Sequence, residues 1–322
     1  ANAHTWKFLT ARWIKNAVLY IELKENKIMS FKRNLSRKLI ENLSKDKLFN
    51  NHLLNDIINR EVFPAIRNNY VDFYYKGGRL FQFTNNSIFK THYKYASVID
   101  INNRQYLSEK ELKTCTLIKD FSQNYLRIKE NCSNYSGIES LGVANLYSKF
   151  SLFNRNSKIV VLDIEISLRA NEQVENLETK KKSDRIDLLL YDIDKQILRF
   201  YEAKHFSNPE LWSVSTREPH ICNQLNRYKS QLVTKYDEIL SNYKKYIESI
   251  NILFQGYIDP LPEPMEIDKK IPVYIFGFDE DQKKGRLAFL RENKFMKGHD
   301  IYAKGEPKNV NINNLWSKTK LF

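Results

Sequence analysis

The chain has 322 residues, a length that suits about two domains, each able to bury its own core. A hydrophobic fraction of 42% excludes a disordered chain, and three scattered cysteines (Cys115, Cys132 and Cys222) exclude a disulfide framework or a Cys/His zinc site. No apolar run approaches the roughly 18 residues of a membrane span, so the expectation is a soluble protein of the reducing cytoplasm. The 52 Lys and Arg against 38 Asp and Glu leave a net charge of +14, which favours a polyanionic partner through counterion release. Nucleic acid is the commonest such partner, although a Lys-, Asn- and Ile-rich composition also produces this balance without one.

The first third reads as a separate α+β unit, spanning 1–135. Apolar residues recur at helical spacing through Leu35, Leu39, Ile40 and Leu43, then through Leu53, Leu54, Ile57 and Ile58. Arg33, Arg37 and Lys38 make the outer side of the first helix basic. Gly77-Gly78 then separates two aromatic-rich runs, which predicts a hairpin because glycine supplies positive φ without steric cost. Lys76 and Arg79 flank that turn and extend the basic surface. Aromatic side chains beside cations can stack bases, but Phe73, Tyr75, Phe81 and Phe83 are better read as the core of a small sheet. A helical connection leads into the second unit, with a boundary near 130–138.

The second unit, 136–322, opens with a helix over GIESLGVANLYSKF and continues with three strands. In KIVVLDIEISL, Val160, Leu162, Ile164, Ile166 and Leu168 alternate on one face, with Asp163 and Glu165 on the other. The charged stretch RANEQVENLETKKKS reads as an exposed loop. DRIDLLLYDIDKQILRFYEAKHF supplies two more strands about a polar turn. After a loop, one long helix runs from His220 to Ile250, with a stripe through Ile221, Leu225, Tyr228, Leu232, Tyr236, Ile239, Tyr243 and Ile247. A Pro-rich break then precedes a last strand, IPVYIFGF.

Charge interrupts the apolar pattern at Asp187, Glu202 and Lys204. With a turn over 193–196, Asp192 pairs with Ile197, Leu189 with Phe200 and Tyr191 with Leu198. Asp187 then falls opposite Glu202, with Lys204 on the same face, whereas a slip of one residue would separate the two acids. Adjacent buried carboxylates repel one another unless a cation lies between them. A hard divalent ion such as Mg²⁺ or Mn²⁺ suits them, since it prefers oxygen ligands and keeps several waters. A lysine on that face could hold or deprotonate one of those waters. The chemistry so implied is phosphodiester hydrolysis.

These residues resemble the PD-(D/E)XK nuclease superfamily, in which an acid on one strand precedes an acid-X-lysine on the next. The family's proline is replaced by Ile186. Gln224 and Tyr228 are similar to the QxxxY pattern of the RecB-like branch, and their spacing of four places them on one helical face. The resemblance covers about 137–280 and implies a restriction-endonuclease-like α/β core of helix, three strands, helix and strand. It implies Asp187 and Glu202 as metal ligands, the Ala203 carbonyl as a third, and Lys204, with Gln224 and Tyr228, as catalytic. Either Glu139 or Glu165 would supply a further acid. His205, on the opposite side of its strand, reads as a packed residue. The implied protein is a metal-dependent deoxyribonuclease of restriction, repair or defence; a nucleic-acid binding protein that has lost cleavage is the alternative.

Overall fold

A computed structural model of the chain describes residues 31–97, 116–154, 157–168, 185–213 and 217–317, with a terminal strand at 320–321. The charged stretch 169–183, Cys115 and the start of the helical connection lie outside them.

In the first part, α1 (Arg37–Ser44) begins at Ser36, whose hydroxyl accepts from the Leu39 amide, and buries Leu39, Ile40 and Leu43 as their spacing predicts. A π turn (Phe49–Leu53) leads into α2 (Leu54–Ile58). Four antiparallel strands follow in spatial order: β1 (Val62–Ile66), β2 (Val71–Tyr75), β3 (Gly78–Phe83) and β4 (Phe89–Lys90). β1 carries Pro64 at its centre. As an edge strand it tolerates the missing N–H. The hairpin turn is Lys76-Gly77, with φ of 47° and 84°, and Gly78 already pairs with Tyr75. The two-residue turn therefore lies one residue earlier than the Gly-Gly pair suggests. Phe73, Phe81 and Phe83 are fully buried, which settles them as core.

α3 (Tyr125–Asn134) and α4 (Ile138–Lys149) follow, then β5 (Ile159–Ile166), β6 (Ile186–Asp192) and β7 (Ile197–His205) as an antiparallel meander. The long helix divides at Lys235 into α5 (His220–Thr234) and α6 (Tyr236–Leu253); Lys235 leaves helical geometry at φ −112°, ψ 22° while the apolar stripe continues. β8 (Glu266–Ile267) and β9 (Val273–Phe276) both join β7 in parallel, so β7 switches the sheet from antiparallel to parallel. α7 (Glu280–Gln282), α8 (Ala288–Glu292), β10 (Ile301–Ala303), α9 (Ile312–Ser317) and β11 (Lys320–Leu321) complete a seven-stranded sheet with path β11-β10-β9-β7-β6-β5.

The protein is thus mixed α/β, with helices on both faces of the large sheet. On one face Val143, Leu146 and Tyr147 of α4 meet Val161, Leu188, Leu190 and Tyr201. On the other, Leu225, Tyr228, Tyr243 and Tyr246 of α5 and α6 meet Val160, Leu189, Tyr191 and Phe200. That second apolar cluster also takes in Leu39, Ile57 and Phe73 from the first part, so the small and large sheets share a core. Among the described residues no helix is long and apolar enough to cross a membrane.

β5 departs from simple alternation. A bulge between Val161 and Asp163 and a left-handed Glu165, φ 52°, turn Ile164 away from Val160, Leu162 and Ile166. Asp163 therefore points into the buried layer, where Arg33 and Arg67 meet its carboxylate at 3.2 Å and 2.7 Å. Arg33 is buried and precedes α1, so it is no part of a basic outer surface: the charge expected to meet nucleic acid is consumed inside the fold.

A candidate acid-lysine site at the end of the central strands

The β6–β7 register is the expected one, with Asp192 opposite Ile197, Tyr191 opposite Leu198 and Leu189 opposite Phe200. Continued past Leu188–Tyr201, the ladder sets Asp187 beside Glu202, and the Asp187 carboxylate accepts the Ala203 amide at 2.8 Å. The β5–β6 register adds a third acid. Glu165 falls between the pairs Ile164–Leu188 and Ile166–Ile186, opposite Asp187. Three neighbouring strands thus each contribute one carboxylate in a row: Glu165, Asp187 and Glu202.

Lys204 lies two residues beyond Glu202 and is almost fully buried. Its ammonium meets Glu202 at 2.9 Å and Glu210 at 2.8 Å. Glu210 sits in a 3₁₀ turn (Pro209–Leu211) capped by Asn208, whose side chain accepts from the Glu210 amide. Sequence reasoning passed over Glu210. The Asn-Pro pair at 208–209 was the available signal that the chain folds back there. Glu139, at the start of α4, accepts from the His205 amide at 3.0 Å and from Asn208 at 2.7 Å. Glu165 is paired with Arg185 at 3.1 Å.

The electrostatics follow from this crowding. Desolvation lifts the Asp187 carboxyl to about 7; Lys204 opposes the rise, while Glu165 and Glu139 add to it. Glu202 is raised well above the ordinary carboxyl range by burial and then by Asp187. Its Oε2 is buried without a hydrogen-bond partner. Burial alone would lower Lys204, but Glu202, Asp187 and Glu210 outweigh it and hold the ammonium above its usual value. Held by these carboxylates, the ammonium compensates their negative charge and is placed to orient a polar group beside them.

Gln224 and Tyr228 do engage one another. The Gln224 amide donates to the Tyr228 hydroxyl at 2.7 Å, which donates to the Arg185 carbonyl at 2.6 Å. The pair anchors the start of β6, two residues before Asp187, and Lys204 is held by glutamates instead. His205 packs its ring edge-on against Phe276. Gly277, with φ 78°, leaves room for it, since a Cβ there would come within 2.0 Å of the imidazole.

Of the expected basic contacts, Arg37 and Lys38 are exposed on α1, and Lys76 and Arg79 on the hairpin. The hairpin turn rests on α4: a Cβ on Gly77 would meet Ser140 at 2.1 Å, placing Lys76 beside the helix end that carries Glu139. Among the described residues no group of three His, Cys, Asp or Glu side chains is already arranged to hold a metal ion. No protein-family model, curated protein or solved structure matches the chain.

Proposed function

We propose that the protein is a divalent-metal-dependent nuclease that hydrolyses phosphodiester bonds of DNA. The observation that carries this reading is the pairing of Asp187 and Glu202 across two strands beside a buried lysine, with one Glu202 oxygen left without a partner. A buried, unpartnered carboxylate oxygen beside a second raised carboxyl fits a missing cation. Mg²⁺ needs only one or two carboxylates and keeps its waters, so the absence of a ready three-ligand group among the described residues does not oppose it.

Asp187 and Glu202 would hold the ion, with the Ala203 carbonyl the third ligand that the resemblance implies. Bound there, Mg²⁺ or Mn²⁺ supplies Lewis-acid stabilisation of phosphorane charge and a more acidic water. The chain supplies the rest. The Ala203 amide fixes the Asp187 carboxylate, and Lys204 offsets developing negative charge in a dry setting, where such compensation is strongest. Tyr228 holds the strand end that presents Asp187, and Gln224 supports it. The exposed Lys76, Arg79, Arg37 and Lys38 offer phosphate contacts.

Purified protein should cut DNA with Mg²⁺ or Mn²⁺ and stop with chelator, and Lys204→Ala should lower the rate by about 100-fold or more. Unchanged cleavage by Lys204→Ala or Asp187→Ala would sink the assignment. One observation favours a second reading, a binding protein that no longer cleaves: Lys204 is closed between Glu202 and Glu210. Salt-sensitive DNA binding without metal uptake or cleavage would select it.

A further inference from the structure

Beside the acid-lysine site lies a hollow of about 790 Å³, within the range of small-ligand pockets. The 3₁₀ turn Pro209–Leu211 joins the two: Glu210 holds Lys204, and Leu211, the next residue, lines the hollow. Trp212 forms part of its wall and is tied to the end of the central strand, since its indole N–H donates to the Phe206 carbonyl at 2.9 Å. Arg286 stacks its guanidinium over the Trp212 ring, 4.2 Å from the centroid. Phe289 lines the hollow from α8 and is 73% exposed, an unusual state for phenylalanine in a folded protein. Lys294 and Asn293 add a cation and an amide, and Glu292 contributes one acid.

The geometry points to this hollow as a binding site for an unpaired base of a nucleic-acid strand, a proposal that rests on the nuclease reading. A planar guanidinium already stacked on an indole presents its second face to another flat π system, and the exposed Phe289 supplies an apolar wall. Stacking of this kind tolerates any base, whereas a paired base is occupied by its neighbours and cannot enter. The two cations against one acid suit the phosphate that accompanies a base. The short path from Trp212 through Leu211 to Glu210 sets the hollow close to the residue that holds Lys204, so a base seated there would bring its strand near the acid-lysine site.

The test uses the full chain in chelator, so that binding is read without cleavage. Fluorescence anisotropy compares a labelled single-stranded oligonucleotide with the duplex of the same sequence, for the parent, Phe289→Ala and Arg286→Ala. Phe289→Ala should weaken single-strand binding by about tenfold, the size of one lost base stack, and leave duplex binding unchanged. Its side chain is exposed, so folding is not at stake, and the circular dichroism spectrum should match the parent. Single-strand affinity that is unchanged in both variants, or that falls equally for strand and duplex, overturns the proposal. The two readings fail separately: a chain that cleaves while Phe289→Ala binds single strand normally keeps the nuclease and loses the base site. A chain that never cleaves but loses single-strand binding on Phe289→Ala does the reverse.

Discussion

Two charge clusters flank β5 and β6, one buried throughout and one buried only at Glu202 and Lys204, and they are built on opposite principles. Around Asp163, every demand of the carboxylate is met: Arg67, Arg33, Tyr243 and the Ile164 amide donate to it at 2.7, 3.2, 3.0 and 2.8 Å. Arg67 also donates to the Ile164 carbonyl at 2.7 Å and lies 3.7 Å from Asp72. Around Asp187 and Glu202, acids outnumber cations, the carboxyls are pushed upward, and Glu202 Oε2 has no partner. The first cluster joins the small sheet to the large one, and nothing remains for a ligand to add. The second is destabilised as it stands, which is the condition in which an added cation gains most. Burial of charge therefore does not mark function by itself. The difference between a closed set and an incomplete one does.

The closed cluster depends most on Arg67. Arg67→Met leaves Asp163 buried with its closest donor removed, and should cost about 3–5 kcal/mol, read as a lower urea midpoint at unchanged m-value. A loss below about 1 kcal/mol would mean that the closed cluster is dispensable and that its saturation carries no structural weight.

At Asp187 the expected sign is opposite. The carboxyl is lifted from 3.8 to about 7 in the fold, so its contribution to stability is fully present below the unfolded value and is lost as pH rises through 7. In chelator, Asp187→Asn should be more stable than the parent at pH 8, by about 1–2 kcal/mol after allowance for partial solvent screening, and the gain should vanish toward pH 4. Mg²⁺ or Mn²⁺ should raise the melting temperature of the parent at pH 8 and not that of the variant. A destabilised Asp187→Asn across the whole range would place the site with the closed cluster.

How far each cluster could be read from the sequence follows from the range of its contacts. Asp187, Glu202 and Lys204 lie on adjacent strands across a tight turn, so the turn at 193–196 fixes their register locally. The partners of Asp163 lie 130 and 96 residues away, and the bulge that points it inward has no local signature in VVLDIE. Arg33 therefore read as surface charge and Arg67 drew no notice. The helix break at Lys235 was equally silent, because the stripe of Leu232, Tyr236 and Ile239 runs through it unbroken. The wall of the hollow was missed for a different reason: Arg286 and Phe289 come from the segment after β9, where short helical turns follow one another without a repeating apolar period.

The smallest expected effect separates support from chemistry within the incomplete cluster. Gln224→Ala removes one neutral hydrogen bond at a half-buried position and should cost about 0.5–1 kcal/mol, since Tyr228 keeps its bond to the Arg185 carbonyl. Tyr228→Phe removes both links and leaves that carbonyl without the tyrosine donor, so it should cost more in stability and in cleavage. If the two residues act only through Arg185, the double variant should resemble Tyr228→Phe alone, because Gln224 then has nothing left to support. Additive losses in cleavage at equal stability would show instead that Gln224 reaches the substrate itself. The site would then extend onto α5, with Gln224 taking part in the chemistry as well as holding the strand.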